Sequence, residues 1–211
     1  MLSSIAGRVY MIKGAASCIG RETAITVARL GAAGLAISDV NTKGLQETKE
    51  ECNAPTNDQI TSWTRDSVQH FGRLDGAANV AGIATGEGST TCQTMTAEGW
   101  DRMMDVNLKG VMLCMRAQLP HLLHPGGAVV NVSSTAGLRG LPHNAAYSAS
   151  KFGVIILSET VSGEFGPLGV RINSLLPQAQ EVAKVLCFLL FDNASYVTGA
   201  HWTVNGGYSA C

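Results

Sequence analysis

Charge is scarce in this chain of 211 residues. Lys and Arg number 15 and Asp and Glu 16, a net charge of −1, with no block of either sign. So balanced a chain has no cationic stripe to neutralise a row of phosphates, which excludes nucleic acid as a partner. Long apolar runs are absent too. None reaches the roughly 18 residues a membrane-spanning helix requires, and the opening MLSSIAGRVYMIKG reads as the approach to a strand rather than a signal peptide. The expectation is a soluble, cytoplasmic protein without membrane contact. Six cysteines (Cys18, Cys52, Cys92, Cys114, Cys187, Cys211) stand far apart with no CxxC pair, so reduced thiols are expected rather than a disulfide framework. The five histidines form no ligand-spaced cluster with cysteine or carboxylate, and no metal site is expected.

What is present is apolar material, 45% of the chain, and 24 glycines. That is enough for one sizeable core, and no linker, repeat or low-complexity segment divides it. Short β-rich runs at 8–13, 34–39, 74–80, 127–133, 170–175 and 201–204 alternate with helical patterns at 20–30, 42–52, 58–71, 97–123, 145–165 and 181–190. The alternation predicts a single α/β domain, a doubly wound, Rossmann-like parallel sheet with helices on both faces. In 97–123 the apolar positions Trp100, Met104, Leu108, Met112 and Met115 recur near the helical period.

One junction resists this plan. The helices at 42–52 and 58–71 should lie on opposite faces of the sheet, roughly 20 Å apart. Only Asn53, Ala54, Pro55, Thr56 and Asn57 separate the two patterns, and five residues span at most about 18 Å. Either the third strand is absent, or residues are missing from the chain as written near 52–57 and also after Pro177. The second is the expectation.

Three features carry chemistry. The turn GAASCIG, Gly14 to Gly20, joins the first strand to the first helix, where backbone amides and a helix N-terminus can hold a pyrophosphate. Asp39 ends the second strand 19 residues after Gly20. A carboxylate there accepts from both hydroxyls of an adenosine ribose and repels a 2′-phosphate, pointing to NAD over NADP. Tyr147 and Lys151 share one face of a helix at i, i+4. An ammonium near a phenol favours the ionised form that proton transfer needs. Ser134 closes a strand 13 residues before Tyr147, where its hydroxyl can donate to a substrate oxygen. Each of these has a plainer reading, as a tight turn, a helix-capping carboxylate, a strand-end hydroxyl or a surface pair.

Together, GxxxxxG after the first strand, NVAG at 79–82, Asn107 within DVNLKG, VNVSS ending at Ser134 and YSASK at 147–151 resemble the short-chain dehydrogenase/reductase family. The motifs stand in family order over about 7–207. The resemblance implies a general acid/base in Tyr147, a polarising hydroxyl in Ser134 and a ribose-holding lysine in Lys151. It implies that Asn107 holds a water in a proton relay. It implies cofactor contacts from Gly14, Ser17, Cys18, Ile19, Gly20, Asp39, Asn79, Ala81, Gly82 and Pro177, besides Tyr147 and Lys151. NAD is the implied cofactor, a small-molecule alcohol or ketone the partner, and a homodimer or homotetramer the assembly, built on helices 97–123 and 145–165.

The chain also departs from the family pattern. Lys13 replaces the usual threonine, Cys18 the middle glycine and Asn205 the acid of a DGG ending. The aspartate after the third strand and the long loop after Pro177 have no counterpart. Asn107 has a plainer role in bonding backbone and kinking its helix, and Asn79 a purely structural one. The rival functions are a nucleotide-binding protein of this fold that has lost turnover, and a methyltransferase, which gives Ser134, Tyr147 and Lys151 no role. Residues 84–96 and 138–144 are the expected frame of an open substrate pocket.

Overall fold

The structure, a computed structural model, describes residues 5–52, 56–57, 63–84, 90–123, 125–177 and 182–205. Seven strands form one sheet: β1 (Val9–Lys13), β2 (Gly34–Ser38), β3 (Thr56–Asn57), β4 (Gly76–Asn79), β5 (Ala128–Val132), β6 (Arg171–Pro177) and β7 (His201–Val204). Their order is β3-β2-β1-β4-β5-β6-β7 and every pairing is parallel. The inner strands are buried on both sides, which is why VYMIK, GLAIS and AVVNV read as near-continuous apolar runs.

Helices α1 (Cys18–Arg29), α2 (Thr42–Cys52) and α7 (Val182–Leu190) cover one face, packing Val27, Leu45 and Leu186 with Tyr10, Ile12 and Ile37 of the strands. Helices α3 (Trp63–Phe71), α5 (Gly110–Gln118) and α6 (Ala145–Phe165) cover the other, with Val111, Met115, Val154 and Val161 against Met11, Ala77 and Val129. This is the expected double winding. The described part of the helix that follows α2 spans Trp63–Phe71. Thr56 and Asn57 pair with Leu35 and Ala36 on the way and supply the third strand. Residues 58–62, expected to be helical, 178–181 after Pro177, 85–89 of the expected substrate frame and the final Gly206 and Gly207 lie outside the described residues.

The pattern at 97–123 is not one uninterrupted helix. Between α4 (Ala97–Met104) and α5, residues Asp105–Lys109 make a π turn, a form that bulges a helix and recurs at functional sites. The extra residue rotates the inward face. Met103, Asn107, Val111 and Met115 point in, whereas Trp100 and Met112, expected inside, are 37% and 36% exposed. No helix of the described residues is long and apolar enough to cross a membrane.

A buried amide network ties β4 and β5 to α5 and α6. Asn79 Nδ2 donates to Asn131 Oδ1 at 2.8 Å and to Gln118 Oε1 at 3.2 Å, and Gln118 Nε2 returns a bond to Asn79 Oδ1. Asn131 Nδ2 donates on to Ser158. Truncating Asn79 strands Asn131 Oδ1 and Gln118 Nε2 without partners, at about 1–3 kcal/mol for each unsatisfied group. Asn79→Ala is therefore expected to destabilise the fold by about 3 kcal/mol in denaturant titration; a loss under about 1 kcal/mol would show that the network relaxes around the gap.

Candidate active site

Strand order reverses between β1 and β4, because the chain leaves β1 toward one face and β4 toward the other. Their separating connections leave a crevice at the carboxyl ends, the place where open α/β sheets bind ligands. A cleft of about 940 Å³ opens there, between the turn after β1 and the loop after β4. That volume is typical of small-molecule and cofactor sites. Of the residues singled out in the sequence, Gly14, Ser17, Cys18, Ile19, Asp39, Ala81, Gly82, Ser134, Tyr147, Lys151 and Pro177 all line it.

The turn after β1 is close-packed. Gly14 has φ +89, and a Cβ on it would stand 2.5 Å from Ala81 N; a Cβ on Gly20 would stand 1.9 Å from Gly14 O. Gly20 thus lets α1 close on the turn and does not itself line the cleft. Cys18 adopts φ +47, the left-handed region, with an exposed side chain. The backbone there requires what glycine supplies without strain, and cysteine holds it at a cost of roughly 1 kcal/mol. Asp39 accepts from Ala16 N at 3.0 Å and from Asn41 N at 2.9 Å. Its carboxylate is fixed at the cleft edge with lone pairs still open.

Ser134 follows β5, and its Oγ accepts from Ala136 N at 3.2 Å. Ser133 Oγ donates to Lys151 O at 2.6 Å and so fastens α6 to the end of β5. Lys151 is 4% exposed, and its Nζ donates to Val132 O at 3.0 Å. Burial pulls this ammonium down to about 8, so its charge is full below that pH and is lost as pH rises through it. Tyr147 stands one turn earlier on α6 with its ring centroid 5.8 Å from Lys151 Nζ.

Asn107 and Asn79 do not line the cleft. Asn107 is fully buried in the π turn, where Oδ1 accepts from Ile83 N at 2.8 Å and Nδ2 donates to Ile83 O at 2.9 Å and to Ser150 Oγ at 3.1 Å. It clamps the loop after β4, the plainer of its two expected roles. The side chain of Asn79 is engaged in the amide network. Sequence reading did not pick out the residues that complete the wall: Val80, Asp105, Val106, Gly110 and Cys114. The π turn that brings Asp105 and Val106 there carries no periodicity signal.

A Cβ on Gly82 would come within 3.2 Å of both Lys151 Nζ and Asn107 Oδ1, so glycine keeps this wall clear. Among the described residues there is no group of His, Cys, Asp and Glu that could hold a metal, and Cys18, Cys52, Cys92, Cys114 and Cys187 are free thiols.

Comparison with known proteins agrees with this geometry. A short chain dehydrogenase family profile matches residues 8–184. Cyclohexanol dehydrogenase of Acinetobacter sp. is 34% identical, over all of this chain and 98% of that protein. Its alignment runs 249 positions against a chain of 211, so at least 38 of them have no residue here. The crystal structure of levodione reductase superposes with a TM-score of 0.92 at 28% identity, covering 98% of this chain and 99% of that one. Carveol dehydrogenase from Mycobacterium avium, solved in complex with NAD, shares the fold at a TM-score of 0.92 and 24% identity, over 99% of both chains. The chain belongs to the short-chain dehydrogenase/reductase family, and is an oxidoreductase.

Proposed function

We propose that the chain uses NAD(H) to interconvert a secondary alcohol and a ketone on a small to medium organic molecule, with Tyr147 as general acid/base. One observation carries this reading: Ser134, Tyr147 and Lys151 share one cleft with the Gly14–Ile19 turn and Asp39. Bound nicotinamide would accept or supply the hydride. Gly14, Ser17, Cys18 and Ile19 would hold the pyrophosphate against the start of α1, Asp39 the adenosine ribose, and Ala81, Gly82 and Pro177 the remaining wall.

In the oxidative direction Tyr147 Oη takes the proton of the alcohol while Ser134 Oγ donates a hydrogen bond to the same oxygen. In reduction Tyr147 returns that proton. Lys151, charged below about pH 8, favours the phenolate through its positive field and has N–H donors beyond the one given to Val132 O for a ribose hydroxyl. Asn107 acts as a positioning residue that fixes Ile83 and, through it, the loop carrying Ala81 and Gly82. Two relatives, cyclohexanol dehydrogenase and levodione reductase, support a cyclic alcohol or ketone as substrate. Free thiols among the described residues agree with a reducing, cytoplasmic compartment.

A nucleotide binder without turnover is the second reading, favoured by the strained Cys18 at the pyrophosphate turn. It is met if NADH binds and no alcohol or ketone turns over. Apolar side chains left exposed on α5, its π turn and α6 (Val106, Met112, Leu113, Phe152 and Ile156) support pairing with symmetry mates into a homodimer or homotetramer. Light scattering is expected to give at least twice the 22.1 kDa chain mass, and a monomer at all concentrations would refute the assembly.

Two further outcomes are expected. Asp39 should make NADH bind at least about tenfold tighter than NADPH, about 1.4 kcal/mol, in fluorescence titration; equal affinities would remove Asp39 from the ribose site. Tyr147→Phe keeps the ring and loses the proton donor, so kcat should fall at least about 10²-fold with NADH affinity nearly unchanged. Near-normal turnover would contradict the assignment.

A further inference from the structure

We propose that Lys13 reads the purine base of the cofactor, donating from its ammonium to a ring nitrogen. This rests on the nucleotide reading of the cleft.

Lys13 is the last residue of β1, and its backbone O accepts from Val80 N and Ala81 N, both at 2.9 Å. Along β1, Tyr10 and Ile12 face α1 and α7, while Met11 faces α5 and α6. By the period-2 alternation of a strand Lys13 follows Met11, and its Nζ reaches Cys114 Sγ on α5 at 3.3 Å. There it lines the cleft with Val80, Asp105, Val106 and Gly110.

The partner is weak. A thiol is a poor acceptor, so it steadies the ammonium without neutralising it, and no other hydrogen bond of Lys13 Nζ is found among the described residues. Asp105, the carboxylate on the same wall, pairs with Lys109 at 3.0 Å instead. Gly110 lies beside it: a Cβ there would be 3.8 Å from the ammonium, an ordinary contact distance. The result is a half-buried cation with donors free toward the ligand.

Position selects which part of the ligand meets it. Lys13 pairs in register with Ser38, the residue before Asp39, one strand spacing of about 4.8 Å away. Ser134 follows β5, two strands off in the other direction. Lys13 therefore belongs to the ribose end of the cleft and not to the reacting end. It also leaves the sheet on the face opposite α1, whose N-terminus is the anion site. What lies beyond a ribose held at Asp39, away from the pyrophosphate, is the base. Val80, Ala81 and Val106 give it apolar walls, and adenine, the base of NAD, offers only nitrogen acceptors at its ring edge. Cys114 is then a positioning residue.

The test is a set of binding titrations on the full chain, wild type and Lys13→Met. For Lys13→Met, NADH and AMP are expected to bind about tenfold more weakly, with ribose 5-phosphate and reduced nicotinamide mononucleotide within twofold of wild type. Equal AMP affinity in the two proteins would overturn the proposal. So would an equal loss for ribose 5-phosphate, which would make Lys13 a phosphate ligand. On wild type alone, AMP analogues with N1, N3 or N7 replaced by C–H should include one that binds about tenfold weaker than AMP. Three analogues as tight as AMP would overturn base reading whatever the variant does. A wild-type chain that binds neither NADH nor AMP instead removes the nucleotide reading beneath it.

Discussion

The site exists because strand order reverses between β1 and β4. A parallel sheet wound in both directions from its middle sends neighbouring connections to opposite faces, and nothing can fill the gap between them from within the sheet. Everything argued for function is arranged around that gap. The turn after β1 presents amides to it, Asp39 stands on one side, and β5 with α6 brings Ser134, Tyr147 and Lys151 to the other. The glycines at 14 and 20 matter because the backbones around the gap approach too closely for a side chain, and Gly82 packs against the side chains of Asn107 and Lys151.

A buried ammonium is costly to keep in such a wall, and Lys151 is held there by its neighbours. Its Nζ has the carbonyl of Val132, and its own carbonyl is gripped by Ser133. Desolvation brings it down to about 8. Across the cleft, Asn107 clamps both polar groups of Ile83 from a π turn. Asn107 is buried on the same face as Met103 and Val111. The irregularity in the helix and the fixed loop after β4 are the same interaction seen from two sides.

Most of this architecture was legible in the sequence because its signals are local. Strand and helix periodicity found six of seven strands, and the motif order placed eleven cleft-lining residues. The third strand escaped because two residues give no periodic signal. The inward face of 97–123 was misassigned for a related reason: a π turn is driven by the tertiary bond of Asn107 to Ile83, which sequence spacing does not record. Asn79 reads as a site residue by motif, yet its partners Asn131 and Gln118 are 52 and 39 residues away. Lys13 and Cys114, 101 residues apart, meet only once β1 and α5 are packed.

Hydride transfer at this cleft is the central claim, and isotope labelling tests it directly. NADH carrying deuterium at C4 of the nicotinamide is mixed with the chain and a cyclic ketone, and the alcohol is analysed by mass spectrometry. The account predicts one deuterium at the carbinol carbon when the transferred position is labelled, and none in an identical reaction with Tyr147→Phe over the same time. Bound NADH with no labelled alcohol from any ketone of a broad panel would contradict it, and would leave a nucleotide-binding protein without turnover.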